Sequence, residues 1–263
     1  MIALARTVWR WRRLVIELAR RDVRTRYAGS SLGLAWALLE PAIQFGLYFV
    51  VFAYFIGMRL EGSSAVGSFG MYLVSGLLPF LAFQECVARA TSLARMQAAL
   101  VRHVNVPLEV LLVAACLAVF VRHGIGLGIV FVVGAATGSL VWAHLPLLIA
   151  ALLILAVGIV GLGLALEVAG AFVPDVQQVV ATGTMVLFYL TPIVYPLARL
   201  PARLRTWLVF NPLVGVTQAV QSFFVPVAVD FKALAVSLVS AALAVALGVS
   251  LFSRRAAAVR DLV

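Results

Sequence analysis

Lysine is nearly absent from this chain, acids are few, and no segment is polar enough to form the surface of a water-soluble domain. One lysine, Lys232, accompanies 19 arginines, and only ten residues are Asp or Glu. Charged residues make up 11% of the 263, against about 25% in ordinary soluble domains. That leaves too little polar surface to enclose a core of this size in water. The lone lysine has no glycine-rich loop beside it and no GxxxxGK[ST] run occurs, so this chain lacks the P-loop means of hydrolysing a nucleotide. HExxH and EF-hand patterns are also missing, and no catalytic residue or metal ligand is assigned. The two cysteines, Cys86 and Cys116, lie in apolar surroundings without CxxC spacing or a paired His, and read as small buried residues. Gly29-Ser30-Ser31-Leu32-Gly33 offers a serine between glycines. However, His103, His123 and His144 fall in segments expected at different depths, so the glycines read as a turn. The opening of the chain lacks the short apolar core and cleavage site of a secretory signal. Trp9 to Arg13 is already Arg-rich and leads into the first apolar segment, as part of the mature protein.

What the sequence does contain is apolar. Hydrophobic residues reach 64% and mean hydropathy is +1.12. A bilayer core of about 30 Å requires a helix of roughly 20 apolar residues, and several such runs are present. The expected fold is all-α and polytopic, with six crossings near 34–57, 71–88, 108–137, 145–168, 178–195 and 233–252. The unbroken apolar stretch from Glu109 to Glu167 is too long for one crossing at 1.5 Å per residue and is divided at Gly138 to Pro146. A Gly/Ser-rich loop is expected around 62–70, and Glu40-Pro41 falls in the first turns of the first crossing. Residues 193–228 hold four prolines and short apolar runs, the pattern of re-entrant or interfacial helices on the outer side. Gly134 and Gly138 form a GxxxG pair, a signal of close helix approach.

Residues 1–30 read as an interfacial amphipathic helix. Leu4, Val8, Trp11, Val15, Leu18 and Ala19 recur at helical spacing, with Arg10, Arg13, Arg20, Arg21 and Arg24 between them. A helix that packs on a partner is compatible with the same pattern. Residues 31–256 form the transmembrane domain and 257–263 a tail. With both termini cytoplasmic, fourteen arginines fall inside: eight at the N-terminus, three at 89–102 and three in the tail. Five cations fall outside (Arg59, Arg199, Arg203, Arg205 and Lys232), so the positive-inside bias supports this orientation although a group near residue 200 opposes it. The net charge of +10 thus reads as topology and contact with anionic headgroups, and nucleic acid is not an expected partner. Arg122-His123 interrupts the third apolar run, where a lone Arg costs roughly 2.5–3.5 kcal/mol. It calls for the bundle interior, water or an acidic partner, with Glu85 and Glu167 the candidate acids, or for a span that is shifted or locally broken there. Phe45, Tyr48, Phe52 and Phe55 recur at helical spacing in the first crossing, and Phe80, Phe83, Phe188, Tyr189 and Tyr195 are placed to join them. Such rings suit a sliding sugar chain and equally suit lipid.

Arg21-Asp22-Val23-Arg24-Thr25-Arg26-Tyr27, Ser31-Leu32-Gly33, Trp36 and Pro41 resemble the opening of the permease subunits of type-2 ABC exporters for polysaccharide. These move O-antigen, capsule or teichoic acid chains. Ser75-Gly76-Leu77-Leu78-Pro79-Phe80, Pro107-Leu108-Glu109, Asp175, Thr191 to Pro196, Leu200-Pro201 and Asn211-Pro212-Leu213 are similar to theirs, in the same order. Pro174 stands where the family often has Arg, and Val106 where an aromatic often precedes proline. The resemblance implies a homodimer in the bacterial cytoplasmic membrane, two separate ATPase subunits that bind ATP and Mg, and a lipid-linked polysaccharide as cargo. It implies a coupling segment at Arg95, Gln97, Arg102 and His103, and substrate access beside Arg20, Arg21, Arg24, Arg26 and Tyr27. It further implies a path along Phe45, Tyr48, Phe52, Phe55, Phe80, Phe188 and Tyr189, and an outer gate at Pro192, Tyr195, Pro196, Asn211 and Pro212. An exporter of a small lipid or drug stays open beside it. A polytopic enzyme would need a convergent acid, base or metal cluster at one membrane face, and the sequence presents none.

Overall fold

The computed structural model describes residues 2–26, 30, 32–58, 60, 66–104 and 106–262, and every regular element among them is helical. In chain order the helices are α1 (Ile2–Arg10), α2 (Arg12–Thr25), α3 (Trp36–Phe49), α4 (Val66–Ala90), α5 (Leu93–Met96), α6 (Ala98–Val104), α7 (Leu108–Thr137), α8 (Leu145–Phe172), α9 (Val176–Leu190), α10 (Ala202–Leu208), α11 (Val214–Phe224) and α12 (Phe231–Leu262).

Four stretches are long and apolar enough to cross a bilayer: Gly67–Ala90, Leu108–Thr137, Trp142–Phe172 and Phe231–Arg260. Two further apolar helices, Ala42–Phe55 and Val176–Leu190, are shorter. Side chains on the outside of the long helices are apolar; Ile149, Leu153, Leu243 and Leu247 are all more than half exposed. Meanwhile Thr184, Gln221, Ser222 and Glu167 are buried. This inversion of the soluble pattern makes the chain membrane-integral.

Local sequence explains most boundaries. α7 stops at Thr137 because Gly138 takes a left-handed conformation (φ 67°) and caps the last turn. α8 starts one short 3-10 turn later with proline in its first turn. The division of the long apolar stretch therefore falls where it was expected. The GxxxG reading fails here: Gly138 is a cap, and Gly134 faces the side chains of Leu140 and Met71, not another helix backbone. Close helix approach is made instead by Gly161 of α8 and Gly248 of α12. A Cβ on Gly248 would stand 1.9 Å from the Gly161 carbonyl oxygen, so the two backbones touch. The expected loop at 62–70 is also corrected, since α4 begins at Val66 and Phe69 is fully buried. The burial of Phe69 and the ring of Phe49 seated against Gly70 hold this glycine-rich turn in the helix.

α3 runs into a π-helical segment, Val50–Phe55. The wider i→i+5 ring shifts the phase of side chains that follow it. Phe45, Tyr48 and Phe52 consequently pack against the core, whereas Phe55 is 80% exposed. At the other end, α1 and α2 are interrupted at Trp11. Val15 and Ala19 are buried, while Leu4, Val8, Trp11 and Leu18 pack against the core, chiefly on α7. The apolar stripe of the amphipathic segment is thus occupied by the protein itself, leaving an arginine-rich face with Trp9 and Ile16 open. α7 is 30 residues long, about 45 Å at 1.5 Å per residue. It exceeds a hydrocarbon core of about 30 Å, and its first turns form the wall that α2 covers.

Candidate functional site

Where α2, α4 and α7 meet, the chain gathers its ionisable groups. Glu85 of α4 is the hub. Its Oε1 accepts from Arg26 Nη1 at 3.1 Å and from Arg89 Nε at 3.1 Å. Its Oε2 is ion-paired with Arg122 of α7 and lies 3.3 Å from His123 Nε2. Arg89 donates a second bond, from Nη1 to Asp22 Oδ2 at 2.6 Å, which ties α2 to α4. Arg122 is only 10% exposed and Glu85 22%. Three arginines thus converge on one carboxylate, with Asp22 as a second anion.

The placement follows from helix geometry. Glu85 and Arg89 are one turn apart on α4, so both face α2 and α7. Arg122 falls near the middle of its apolar run by sequence count. Because α7 overshoots and is sheathed by α2, the residue lies level with the last turns of α4, where its charge meets Glu85. Of the two acids expected as partners, Glu85 is the one that pairs. Glu167 is fully buried elsewhere, with no hydrogen-bond partner on either carboxylate oxygen among the described residues. A cavity of about 560 Å³ opens beside the hub, and Arg26, Gln44, Gln84 and Thr184 share its lining. Gln84 Nε2 donates to Thr184 Oγ1 at 3.4 Å, tying α4 to α9. An array of guanidinium groups gathered on Glu85 beside a cavity is chemically able to exchange that carboxylate for a phosphate or pyrophosphate, which arginine binds in bidentate fashion.

Arg20, Arg21 and Arg24 are exposed along α2, and Arg20 pairs with Glu17 at 2.9 Å. Tyr27 lies outside the described residues. Asp22 and Arg89 complete the hub without standing out in the sequence; the signal for it is the charge of Arg122-His123 inside an apolar run.

Beyond the hub the chain turns through α5 and α6. Leu93, Ala94 and Val101 point inward and are buried; Met96 and Arg102 are exposed, and Arg95 and Gln97 are half-buried. Gln97 lines a second cavity of about 420 Å³ with Arg21, Asp22 and Arg89. His103 belongs to α6. The pair of short helices therefore hangs beside the hub and presents a mixed polar and thioether surface.

The rings form one connected cluster between α3, α4 and α9. Tyr48 lies 6.4 Å from Phe52 and 5.7 Å from Phe188. Phe188 meets Phe80 edge-on at 5.4 Å and Tyr189 at 5.3 Å. Tyr189 is 60% exposed, so the cluster opens to the outside of this chain at α9. Phe55 stands apart from it.

Past α9 the segment 191–213 is held by a dense set of hydrogen bonds. Tyr72 Oη donates to the carbonyl of Pro192 at 2.8 Å, with that of Tyr195 at 3.0 Å. Gln221 Nε2 donates to the carbonyl oxygens of Tyr72 and Pro192 at 3.2 and 3.3 Å. Tyr195 Oη donates to the Tyr189 carbonyl at 2.8 Å. Asn211 Nδ2 donates to the Leu190 carbonyl at 3.1 Å, and Asn211 Oδ1 accepts from Leu213 N at 2.9 Å across Pro212. Pro196 is buried. The residues expected at the outer gate thus lie in one segment pinned by hydrogen bonds to α4, α9 and α11.

A family model described as ABC-2 type transporter matches residues 13–225. The chain is 27% identical over 226 residues to the O-antigen export system permease protein of Myxococcus xanthus, covering 85% of each chain. It is 24% identical over 225 residues to the polysialic acid transport protein of Escherichia coli, covering 85% of this chain and 86% of that one. It is also 20% identical over 245 residues to the O-antigen export system permease protein of Klebsiella pneumoniae, covering 92% and 91%.

Proposed function

This chain belongs to the ABC-2 type transporter family, and from that premise we propose that it is the permease subunit of an ATP-driven exporter that moves a lipid-linked, O-antigen-like polysaccharide across a bacterial cytoplasmic membrane. The observation that carries the reading is the similarity, over most of both chains, to proteins named for O-antigen export and polysialic acid transport. The sequence has no P-loop, so ATP and Mg are bound by separate nucleotide-binding subunits, two of them serving a homodimer of this chain. Both termini are cytoplasmic. α3 with its π-helical continuation and α9 complete six crossings with the four long helices, and α10 and α11 sit on the outer side as interfacial or re-entrant elements.

In this reading α5 and α6 form the contact through which the ATPase drives the bundle, with Arg95, Gln97, Arg102 and His103 on that surface. The arginines of α2 lie at the cytoplasmic access route, and the Glu85 hub stands directly behind them. A lipid-linked pyrophosphate arriving there would compete with Glu85 for Arg26, Arg89 and Arg122, and freeing α2 from α4 would open the route. The ring cluster offers each sugar unit a weak stacking contact that the next unit can remake, which favours movement over arrest. The turn at Pro192 to Pro212 closes the outer end. An anionic, capsule-like glycan is the second reading, favoured by the similarity to the polysialic acid transport protein.

The decisive test is reconstitution. Proteoliposomes with this chain and its ATPase should move a fluorescent lipid-linked glycan in an ATP-dependent way, while the chain alone should hydrolyse no ATP. ATPase activity in the partner-free chain, or no glycan movement by the intact complex, would sink the proposal.

A further inference from the structure

The cations that oppose the positive-inside bias remain unexplained by the export reading. Arg205 and Lys232 border a cavity of about 770 Å³ on the side of the bundle that holds α10 and the start of α12. Among the described residues Asp230 is the acid on its lining, and its Oδ1 accepts the backbone N–H groups of Lys232 at 2.8 Å and Ala233 at 3.4 Å, closing the first turn of α12. Neither cation has an acid within ion-pair distance among the described residues. Arg205 Nε donates to the Leu200 carbonyl at 3.0 Å, which restrains the guanidinium at the cavity lining. Gln218 is nearly buried, and its Oε1 accepts from Asp230 N at 3.3 Å, so its Nε2 turns toward the same space. Arg205, Lys232 and Gln218 thus bring donors to one lining, and the two cations outnumber the single carboxylate of Asp230.

Donors from three side chains on one cavity lining, two of them cationic, suit an oxyanion. The space is far larger than a phosphate needs and lies in the range of small-molecule sites, about 300–1,000 Å³. Phe210, 67% exposed on the wall, supplies a flat face of the kind on which a sugar ring rests. We propose that this cavity binds an acidic sugar unit of the exported chain, its carboxylate held by Arg205, Lys232 and Gln218 and its ring laid on Phe210. The proposal rests on the export reading and on the orientation that puts α10 outside. It narrows the cargo to a glycan that carries carboxylates. Tyr72 and Pro196 also line the cavity, and Tyr72 donates to the Pro192 and Tyr195 carbonyls. A bound sugar therefore bears directly on the turn proposed as the outer gate.

The test uses the permease with its ATPase partner in phosphatidylcholine nanodiscs and three soluble probes: a sialic acid trimer, maltotriose and inorganic phosphate, read by saturation-transfer NMR and calorimetry. The acidic trimer should bind, maltotriose should bind at least roughly tenfold more weakly, and equimolar phosphate should not displace the trimer. Arg205→Gln with Lys232→Gln should weaken trimer binding by about tenfold at low salt, while Arg205→Lys with Lys232→Arg should retain most of it. Phe210→Ala should lower affinity by about threefold without altering the preference for acid. Equal binding of the neutral trisaccharide, displacement by phosphate, or an unchanged affinity in the double Gln variant would each overturn the assignment. The same preparations in ATP-driven glycan transport keep the two readings apart. Export of a neutral lipid-linked glycan with no trimer binding leaves the permease function standing and removes this site, whereas export of no glycan removes the permease function.

Discussion

Replacing Glu85 by Gln keeps size and one acceptor oxygen but takes away the carboxylate shared by Arg26, Arg89, Arg122 and His123. The strongest part of the loss falls on Arg122, which is 10% exposed; the more exposed arginines are screened by solvent and contribute little. Removing one partner of a buried pair costs about 3–5 kcal/mol, because a charge is left without compensation. Glu85 itself is 22% exposed, which puts the expectation at the low end, about 3 kcal/mol. A chain of this size shifts by roughly 2–4 °C per kcal/mol, so the unfolding midpoint in nanodiscs should fall by roughly 6–12 °C at fixed scan rate. Removing the orphaned charge as well should reverse much of this. Glu85→Gln with Arg122→Gln should lie closer to wild type than the sum of the single variants predicts, by about 1–3 kcal/mol. The assay is intrinsic-fluorescence melting of all four proteins. A midpoint within about 2 °C of wild type for Glu85→Gln, or strict additivity in the double variant, would refute the view that Glu85 is the counterion that lets Arg122 stay in the bundle.

Charge reversal at exposed Arg102 should leave insertion intact and raise ATP hydrolysis per glycan exported, since a like or unpaired charge disturbs docking; unchanged coupling and complex recovery would reduce α6 to a solvated turn. Tyr48→Leu with Phe52→Leu keeps the helix apolar, so surface glycan per inserted permease should fall while insertion is unaffected; normal export would place these rings against lipid or the core alone. Gly248→Leu should prevent a folded bundle or lower its midpoint by more than 10 °C or so, because its Cβ would stand 1.9 Å from the Gly161 carbonyl oxygen. Gly183→Ala is the control, since a Cβ there meets nothing within 4 Å and helix propensity favours it; equal melting of the two variants would show that α8 and α12 do not touch as described.

Composition and periodicity alone establish that this is a membrane-integral, all-helical chain, and local chemistry places the break between α7 and α8. Gly138 and Pro146 act on their own turns, so their effect is readable without neighbours. That Arg122 needs compensation is likewise visible, because an arginine among apolar residues is costly wherever the helices go. Which acid answers it depends on the rise of α7 past α4 and on the crossing of α2, and only the assembled helices distinguish Glu85 from Glu167. The separation of Phe55 from Tyr48 and Phe52 comes from one π-helical segment, a change of register that 3.6-residue counting does not contain. Gly134 and Gly138 carry the GxxxG spacing, yet Gly161 and Gly248 make the contact. Spacing within one helix says nothing about which face another backbone approaches, and that face is decided when α8 and α12 settle against each other.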